Sequence, residues 1–316
     1  MRPLVLLAVL TASALSLAWT PRAAAADPAP VPDVGTRSLE WVGSGGALRW
    51  YHVFEPTTPA PVPDARRPLV VCFHGGGGNA ASAYENYGVA EEAQARGWVA
   101  VFPEGTGPLS GTGTFALQSW NAGDCCVFAA ENDVDDVGFF ADMLGQLVVE
   151  HDVDPDRVFV TGFSNGAMMS YRLGVERPDL VTAIAPVGGA LVTDPPTARV
   201  PLLAIHGLLD TRVPFDGGMG SGLAGEVFPS QFESFVPFLE ANGSCDLLPP
   251  YVHGAAMLFV APAPAAPAIG AETWYFLALD GGHSWPGGNG SIVNPSEPQH
   301  TDVPATPLMF DFFERQ

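Results

Sequence analysis

Residues 157–166 read RVFVTGFSNG, and this stretch decides how the chain is expected to fold. Its first half is a short β-branched and aromatic run, which predicts a strand over residues 157–161. Its second half is a Gly-x-Ser-x-Gly pentapeptide, and residues 165–176 after it have the composition of a helix. A serine on a sharp turn between strand and helix stands clear of the sheet, and the flanking glycines leave room for that turn. Ser164 is therefore the candidate nucleophile.

The segments on either side of this turn repeat the order of strand and then helix. Strands are predicted at residues 48–54, 68–73, 98–102, 181–187, 200–206 and 273–279. Further helices are predicted at residues 80–96, 133–151, 228–240 and 306–313. Apolar strands alternating with helices predict an α/β fold with a mostly parallel central sheet and helices on both faces. The expected organisation is a Pro-rich N-terminal arm at 27–47 and a single catalytic domain at 48–316.

The N-terminus has the pattern of a secretory signal peptide. Arg2 precedes an apolar run over residues 4–19, and the small residues 23–26 follow it. This run is shorter than the roughly 20 residues that a membrane-spanning helix needs. We predict a signal peptide over residues 1–26, cleavage after Ala26, and a secreted mature protein with no membrane association.

Charge and composition restrict the classes of partner. The formal net charge is -21, and every cationic side chain other than histidine is an arginine. Nucleic acids and anionic lipids both require basic surface, so neither is an expected partner. The absence of lysine excludes a Ser–Lys dyad, Schiff-base chemistry and a P-loop lysine. No cofactor is expected.

Two later loops supply candidate partners for the nucleophile. Asp210 lies just after the strand predicted at 200–206, and His283 lies in the sequence GGHSWPGG after the strand at 273–279. The chain order Ser, Asp, His is that of the α/β-hydrolase fold and differs from the orders in other serine hydrolases. His283 is the predicted base, and Asp210 is predicted to hold its imidazole in the required tautomer.

The other histidines are expected to be structural. His206 is expected to pack under the loop of Asp210, and His253 and His300 to lie at the surface. None of the histidines is spaced from another histidine or a carboxylate as metal ligands are, so no metal site is predicted.

Backbone amides complete the predicted site. A transition-state oxyanion needs two N–H donors, and one is expected from Asn165, directly after the nucleophile. The other is expected from the HGGGGN sequence at residues 74–79, where glycine permits close approach of the backbone to a ligand. Gly76 is the first candidate and Gly75 the second. A phosphate-binding loop is the rival interpretation, but no Gly-Lys-Ser/Thr sequence follows.

Four cysteines remain after the predicted signal peptide: Cys72, Cys125, Cys126 and Cys245. An even number in an exported chain indicates disulfides. Adjacent cysteines rarely bond each other, so Cys125 or Cys126 is expected to pair with Cys245. Cys72 is expected to be either a buried free thiol or the partner of the cysteine that is left.

Six stretches together resemble a known family. HGGGGN, WNAGDCC, VDDVGFF, GFSNGAMMSYRL, HGLLDTRVP and GGHSWPGG resemble the secreted polyhydroxybutyrate-depolymerase-like esterases, and these are similar to bacterial feruloyl esterases of carbohydrate esterase family one. The resemblance covers nearly all of the chain from about residue 48 onward. It implies Ser164, Asp210 and His283 as a catalytic triad.

The resemblance also implies that three further side chains bind substrate. Trp120 and Trp285 are expected near the site as an aromatic wall for the acyl group, and Asp136 is expected beside it, as is its neighbour Asp135. The alternatives are that the tryptophans pack in the core and that the two carboxylates favour the N-terminus of a helix.

The predicted activity is carboxylic ester hydrolysis through an acyl-enzyme. Expected substrates are polyhydroxyalkanoate-type polyesters or oligoesters, or other polyester and aryl esters, so the partner is a small, oligomeric or polymeric ester. The alternative is a feruloyl esterase acting on plant cell-wall esters. A serine peptidase of the same fold and a non-catalytic secreted binding protein are further rivals.

Overall fold

The computed structural model describes residues 35–60, 65–110, 117–222, 225–244, 246–265, 270–289 and 297–316. The predicted signal peptide, its cleavage site and the first residues of the predicted arm lie outside these ranges. In the ranges given, no helix has the length and apolar character needed to cross a bilayer.

Strands and helices alternate through most of the described chain. The strands, β1 to β12 in chain order, are Gly35–Ser44, Ala47–Pro56, Arg67–Phe73, Val99–Pro103, Val153–Phe163, Ala183–Val187, Leu202–Gly207, Gly218–Met219, Val227–Phe228, Tyr251–His253, Ala256–Ala261 and Thr273–Ala278. The helices, α1 to α7, are Ala80–Asn86, Val89–Arg96, Val127–Glu131, Asp136–Glu150, Asn165–Glu176, Gln231–Ala241 and Ala305–Phe313.

Ten of these strands form one sheet in the order β1-β2-β4-β3-β5-β6-β7-β12-β11-β10. The six central strands, in the sheet order β4-β3-β5-β6-β7-β12, run parallel to one another. The two strands at each edge, β1 and β2 at one and β11 and β10 at the other, are paired antiparallel. This confirms the predicted α/β-hydrolase fold with a mostly parallel sheet. Because parallel strands end at the same edge, the loops after β3, β5, β7 and β12 meet there.

The two faces of the sheet build two apolar cores. Along β3, Val70 and Cys72 pack on one face with α1, α2 and α7, while Leu69 and Val71 pack on the other with α4, α5 and α6. Successive side chains of a strand point to opposite faces, so a strand covered on both sides is apolar throughout. All five of the residues from Leu69 to Phe73 are buried for this reason.

The boundary predicted at residue 48 is wrong, because part of the predicted arm belongs to the sheet. The strand β1 pairs antiparallel with β2 from Gly35↔Pro56 to Ser44↔Ala47. Gly45 and Gly46 form the two-residue turn between them with φ of 57° and 80°. Both residues of such a tight hairpin turn need positive φ, which glycine adopts without a steric penalty.

The single helix predicted over residues 80–96 is also wrong, because the segment forms two helices. Gly88 separates α1 from α2 with a left-handed φ of 68°. Asn79 begins α1 by accepting a hydrogen bond from the Ser82 amide at 2.8 Å. The helix prediction is correct on both sides of Gly88, where the glycine ends one helix before the next begins.

Candidate active site

Ser164 stands on a strained turn between β5 and α5. Its backbone has φ 56° and ψ −119°, and its amide donates to the carbonyl of Val187 at 2.9 Å. A non-glycine residue in this sparsely populated region costs on the order of 1–3 kcal/mol and persists only where the surroundings hold it. The turn lifts the hydroxyl above the end of the sheet.

The flanking glycines are required by close backbone approach. A Cβ at Gly162 would overlap the carbonyl group of Gly166, and a Cβ at Gly166 would overlap the carbonyl oxygen of Phe73. Strand β3, strand β5 and the first turn of α5 are therefore packed backbone to backbone beneath Ser164.

The structure brings the three predicted side chains together. The Nε2 atom of His283 lies 2.9 Å from Ser164 Oγ, and its Nδ1 atom lies 2.8 Å from Asp210 Oδ2. These partners are 119 and 73 residues away in the chain. Asp210 is 5% exposed and His283 is 2% exposed, so water has little access to the hydrogen bond between them. A base oriented by a carboxylate and placed at a hydroxyl can activate that hydroxyl as a nucleophile.

Asp210 is held as a carboxylate by its surroundings. Its Oδ1 atom accepts hydrogen bonds from the amides of Arg212 and Val213, each at 2.8 Å. Burial alone would raise the pKa of Asp210, but the charge and hydrogen bond of His283 hold it below its ordinary value. As predicted, His206 packs beneath this loop, where its Nε2 donates to the carbonyl of Val213 at 2.9 Å.

The residues predicted to supply the oxyanion donors lie close together beside Ser164. A Cβ on Gly76 would lie 3.5 Å from the Asn165 Cβ, and a Cβ on Gly75 would lie 3.5 Å from the Ser164 Cβ. Asn165 is the first residue of α5, where amides have no partner within the helix. The two loops therefore place backbone amides at the end of the sheet that carries the serine hydroxyl.

The structure does not support the aromatic wall expected from Trp120. This side chain is fully buried, its Nε1 donates to the carbonyl of His74 at 2.9 Å, and its ring meets Phe73 edge to face. The Trp120 backbone exchanges two hydrogen bonds with the Asn165 side chain, at 2.7 and 3.0 Å. Trp120 therefore holds the side chain of Asn165, the residue directly after the nucleophile, in place.

Trp285 is a core residue as well. It is 1% exposed, it stacks on Tyr87 with ring centroids 4.4 Å apart, and its Nε1 donates to Thr306 Oγ1 at 2.9 Å. Because it lies two residues after His283, this packing anchors the histidine loop instead of contacting a substrate.

Asp136 is occupied by a buried ion pair. Its Oδ1 lies 2.6 Å from an Arg49 guanidinium nitrogen, and its Oδ2 accepts from the Asn121 amide at 2.7 Å. Its neighbour Asp135 caps α4 by accepting from the Gly138 amide at 2.7 Å. Both oxygens of Asp136 are engaged by Arg49 and Asn121, so Asp136 anchors the loop that carries Trp120 instead of contacting a substrate.

Sequence reasoning missed Glu104, a buried carboxyl beneath the glycine loop. Its Oε2 accepts from the Ala80 amide at 3.0 Å, at the end of that loop. Burial raises the pKa of Glu104 to about 7. The adjacent Gly105 donates its amide to His74 Nε2 at 3.0 Å, so this segment supports the first residue of the loop too. No local pattern marks Glu104, since its role depends on a contact across 24 residues.

A cavity of about 290 Å³ opens at Ser164 and His283. Its described lining is predominantly apolar and includes Pro108, Leu117, Val127, Phe128, Met168, Val213 and Phe228. The polar side chains of the described lining include Ser164, Asn165, Arg212 and His283, and His283 bonds to the serine hydroxyl. This distribution is typical of a site that holds an apolar group against a small number of orienting groups.

The expected cysteine pairing is corrected. Cys125 and Cys126 are bonded to each other, and Cys72 is a buried free thiol. Both bonded cysteines are buried in one small cluster with Met168, beside the cavity. Cys245 lies outside the described residues.

Two histidines differ from expectation. His300 is buried, and its Nδ1 lies 2.6 Å from Asp280 Oδ1. His151 does pair with carboxylates: its two ring nitrogens lie 3.0 Å from Glu40 and 3.1 Å from Glu55. Burial alone would lower the pKa of His151, but the hydrogen bonds to Glu55 and Glu40 raise it. All three pairs join residues at least 20 positions apart in sequence, which local spacing does not reveal.

Comparison with known proteins identifies the family of the chain. The sequence profile of the phospholipase/carboxylesterase family matches residues 61–221, just over half of the chain. A protein named as an esterase, NocK of Nocardia uniformis subsp. tsuyamanensis, is 30% identical over 279 residues, which cover 82% of this chain and 76% of the relative.

Two further relatives match shorter stretches. Feruloyl esterase B of Piromyces equi is 28% identical over 190 residues, which cover 57% of this chain and 33% of that protein. Poly(3-hydroxyalkanoate) depolymerase C of Paucimonas lemoignei is 30% identical over 132 residues, which cover 42% of this chain and 30% of that protein. The chain thus spans about a third of the length of each of these two relatives.

A solved structure shares the fold. The acetyl xylan esterase from Aspergillus awamori superimposes with a TM-score of 0.56 at 15% identity, over 78% of this chain and 94% of that one. At this identity the likeness concerns the fold. Together with the family profile and the esterase relative, it shows that the chain belongs to the phospholipase/carboxylesterase family and is an esterase of the α/β-hydrolase fold.

Proposed function

We propose that the protein is a serine carboxylic ester hydrolase in which Ser164 is the nucleophile, His283 the general base and Asp210 the orienting acid. The observation that carries this proposal is the continuous chain of hydrogen bonds from Asp210 through the imidazole to the serine hydroxyl, at 2.8 and 2.9 Å. The strained turn that presents the hydroxyl supports it independently.

In the first half-reaction, Ser164 Oγ attacks the ester carbonyl carbon while His283 Nε2 takes the hydroxyl proton. The negative charge that develops on the carbonyl oxygen is stabilised by the amides of Gly76 and Asn165. Asp210 stabilises the imidazolium that forms. The tetrahedral intermediate then releases the alcohol, which receives the proton from His283, and the acyl group remains on Ser164.

The second half-reaction uses the same groups with water in place of the alcohol. His283 takes a proton from the attacking water. The negative charge of the second tetrahedral intermediate is stabilised by the same two amides. Its collapse releases the carboxylic acid and returns the proton to Ser164 Oγ.

The cavity indicates which acyl groups fit. Its apolar lining favours a medium-sized apolar acyl group, and Leu117 at its wall is 57% exposed, which extends the apolar surface outward. An extended ester chain could contact both the cavity and this surface. We therefore place polyhydroxyalkanoate-type oligoesters or polyesters first among substrates, in agreement with the relative named as a depolymerase.

Hydroxycinnamoyl esters are the second candidate class. Phe128 and Phe228 both line the cavity, and aromatic rings of this kind pack well against a planar aryl acyl group. The relative named as a feruloyl esterase supports the same assignment.

The test is a matched panel of esters with purified mature protein. Methyl ferulate, p-nitrophenyl butyrate and 3-hydroxybutyrate oligomers are compared by kcat/KM, with Ser164→Ala as the blank and Ser38→Ala, an exposed serine on β1, as the matched control. We expect Ser164→Ala to lose at least about 10³-fold in kcat. Full activity in that variant, or no wild-type activity on any ester, contradicts the proposal. The preferred acyl group decides between the two substrate classes.

We further propose that the protein is exported and cleaved near Ala26. The support is the pattern of the first 26 residues, in which a cationic start, an apolar run and small residues follow in order. N-terminal sequencing of the protein recovered from culture medium tests it. A mature N-terminus at Asp27 is expected, and retention of the leader in cell-associated protein would contradict the proposal.

A further inference from the structure

We infer that Glu297 is a positioning residue that holds the loop of the acid and the loop of the base at a fixed separation; this inference rests on the proposed function. Glu297 is not among the described residues that line the cavity at Ser164. It acts through the two loops that carry Asp210 and His283.

Its two carboxylate oxygens accept hydrogen bonds from two different loops. Oε1 accepts from Thr211 Oγ1 at 2.5 Å, and Thr211 directly follows the acid Asp210. Oε2 accepts from the backbone amide of His283 itself at 3.1 Å. One side chain therefore spans the residue after the acid and the backbone of the base.

The surroundings show that this contact is built into the loop. Glu297 is 8% exposed. A Cβ on Gly282 would overlap Oε2 of Glu297 and crowd Pro298, so the glycine before His283 is what lets the carboxylate approach. Pro298 then accepts the Gly282 amide at 2.7 Å, which continues the same contact along the chain.

The segment from Glu297 to His300 lies as a strap along the histidine loop. Pro298 also accepts the Ser284 hydroxyl at 3.2 Å, and the carbonyl of His300 accepts the Gly287 amide at 2.9 Å. These bonds stay within the histidine loop. Glu297 differs because it also reaches Thr211, on the loop of the acid.

A carboxylate suits this place because two donors converge on it from opposite loops. An ionised carboxylate is acceptor-only and can serve both donors at once. Without it, the buried His283 N–H loses the carboxylate that accepts from it, and the Thr211 hydroxyl is left with Ser221 Oγ, 3.0 Å away. Placing a buried acid in a protein of net charge -21 is unfavourable unless its hydrogen bonds are made.

The expected effect is on the chemical step and not on binding. The base must keep two hydrogen bonds aligned at once, and a misplacement of about 1 Å can cost on the order of 10²-fold in rate. We expect Glu297→Ala to lower kcat about 10- to 100-fold while KM changes by less than about 3-fold. The apolar cavity that binds the acyl group is unchanged by this substitution.

The conservative variant separates positioning from charge. In Glu297→Gln, the amide oxygen can accept from the His283 N–H while the amide NH₂ donates to Thr211 Oγ1. We expect this variant to recover kcat to within about 5-fold of wild type. Thr211→Val, which removes only the other end of the contact, should lower kcat several-fold and add little to the loss in a Glu297→Ala background.

The experiment measures kcat and KM on p-nitrophenyl butyrate together with the saturating rate of Ser164 labelling by a fluorophosphonate. Asp142→Ala, an exposed carboxylate on α4, is the matched control. Wild-type kcat in folded Glu297→Ala overturns the inference, as does a Glu297→Gln variant as slow as the alanine variant. If Glu297→Ala does not fold, wild-type kcat in Thr211→Val overturns it. A wild-type protein that cleaves no ester contradicts the proposed function instead, which the labelling of Ser164 reports separately.

Discussion

Asp210 Oδ2 lies 2.8 Å from His283 Nδ1, while the other carboxylate oxygen is already engaged by the amides of Arg212 and Val213. The carboxylate therefore cannot rotate away from the imidazole without breaking two backbone hydrogen bonds. This fixes the tautomer with the proton on Nδ1 and leaves Nε2 as the acceptor that faces Ser164.

Asp210→Asn should preserve the fold and remove most of the activity. The new NH₂ group would favour the tautomer in which Nε2 carries the proton, so His283 could no longer take one from Ser164. We expect kcat to fall about 10⁴-fold. Ester hydrolysis by the purified variant checks it, with Asp194→Asn, an exposed aspartate, as the control. A loss of less than about 10-fold would remove Asp210 from the proposed triad.

Two glycine-to-alanine substitutions should change stability in opposite directions. Gly166→Ala places a methyl group against the carbonyl oxygen of Phe73 and should cost at least about 2 kcal/mol in the free energy of unfolding. Gly145 lies inside α4, where an added Cβ meets no atom within 4 Å. Gly145→Ala should gain about 0.5–1 kcal/mol. Urea unfolding of both variants tests the pair, and equal effects would contradict the close packing beneath Ser164.

Glu104 should make stability fall as pH rises. Its pKa is about 7 in the folded protein against an ordinary value of 4.5, so the folded state binds the proton more tightly. The contribution is complete below pH 4.5, is lost as pH rises to about 7, and is constant above that. The difference corresponds to about 3 kcal/mol at most. Glu104→Gln should therefore gain stability relative to wild type at pH 8 more than at pH 4.

Urea unfolding at several pH values measures that difference, since subtracting the variant from wild type isolates one group. Asp142→Asn is the control for a charge removed from the exposed surface. A wild-type-minus-variant difference that does not change between pH 4 and pH 8 would contradict the assignment of the raised pKa to Glu104.

Asp136→Ala should affect stability and leave substrate binding unchanged. The substitution leaves the buried Arg49 guanidinium without the carboxylate that lies 2.6 Å from it. Removing one partner of a buried ion pair lowers the free energy of unfolding by about 3–5 kcal/mol. The neighbouring Asp135→Ala removes only a helix cap and should cost about 1 kcal/mol. Thermal unfolding and KM on p-nitrophenyl butyrate are the measurements. A raised KM with unchanged stability would restore Asp136 as a substrate-binding residue.

Local patterns in the sequence were sufficient for the framework of the protein. The helix predicted over residues 165–176 has those bounds in the structure. The strand–serine–helix turn is encoded within ten residues, because a strained backbone and the glycines beside it are properties of neighbouring positions. The order of Ser164, Asp210 and His283 in a parallel sheet then indicated which loops meet, since parallel strands end at one edge.

The edges of the sheet were harder to predict. Strands β1, β10 and β11 were not foreseen, and the arm was placed where β1 lies. Edge strands are partly exposed, and their pairing depends on which neighbouring strand covers one side. Their patterns are correspondingly weaker than the continuous apolar runs of the centre.

Tertiary packing alone decided the roles of side chains whose partners are distant in sequence. Trp120, Trp285 and Asp136 have the chemistry of ligand-binding residues, but the fold buries each against its own support. Glu297 sits 86 residues from Thr211, and no spacing rule connects them. The sequence determined the backbone of the site because its turns are local. The tertiary structure determined which side chains face a substrate, because burial and partnership depend on contacts between segments that only folding brings together.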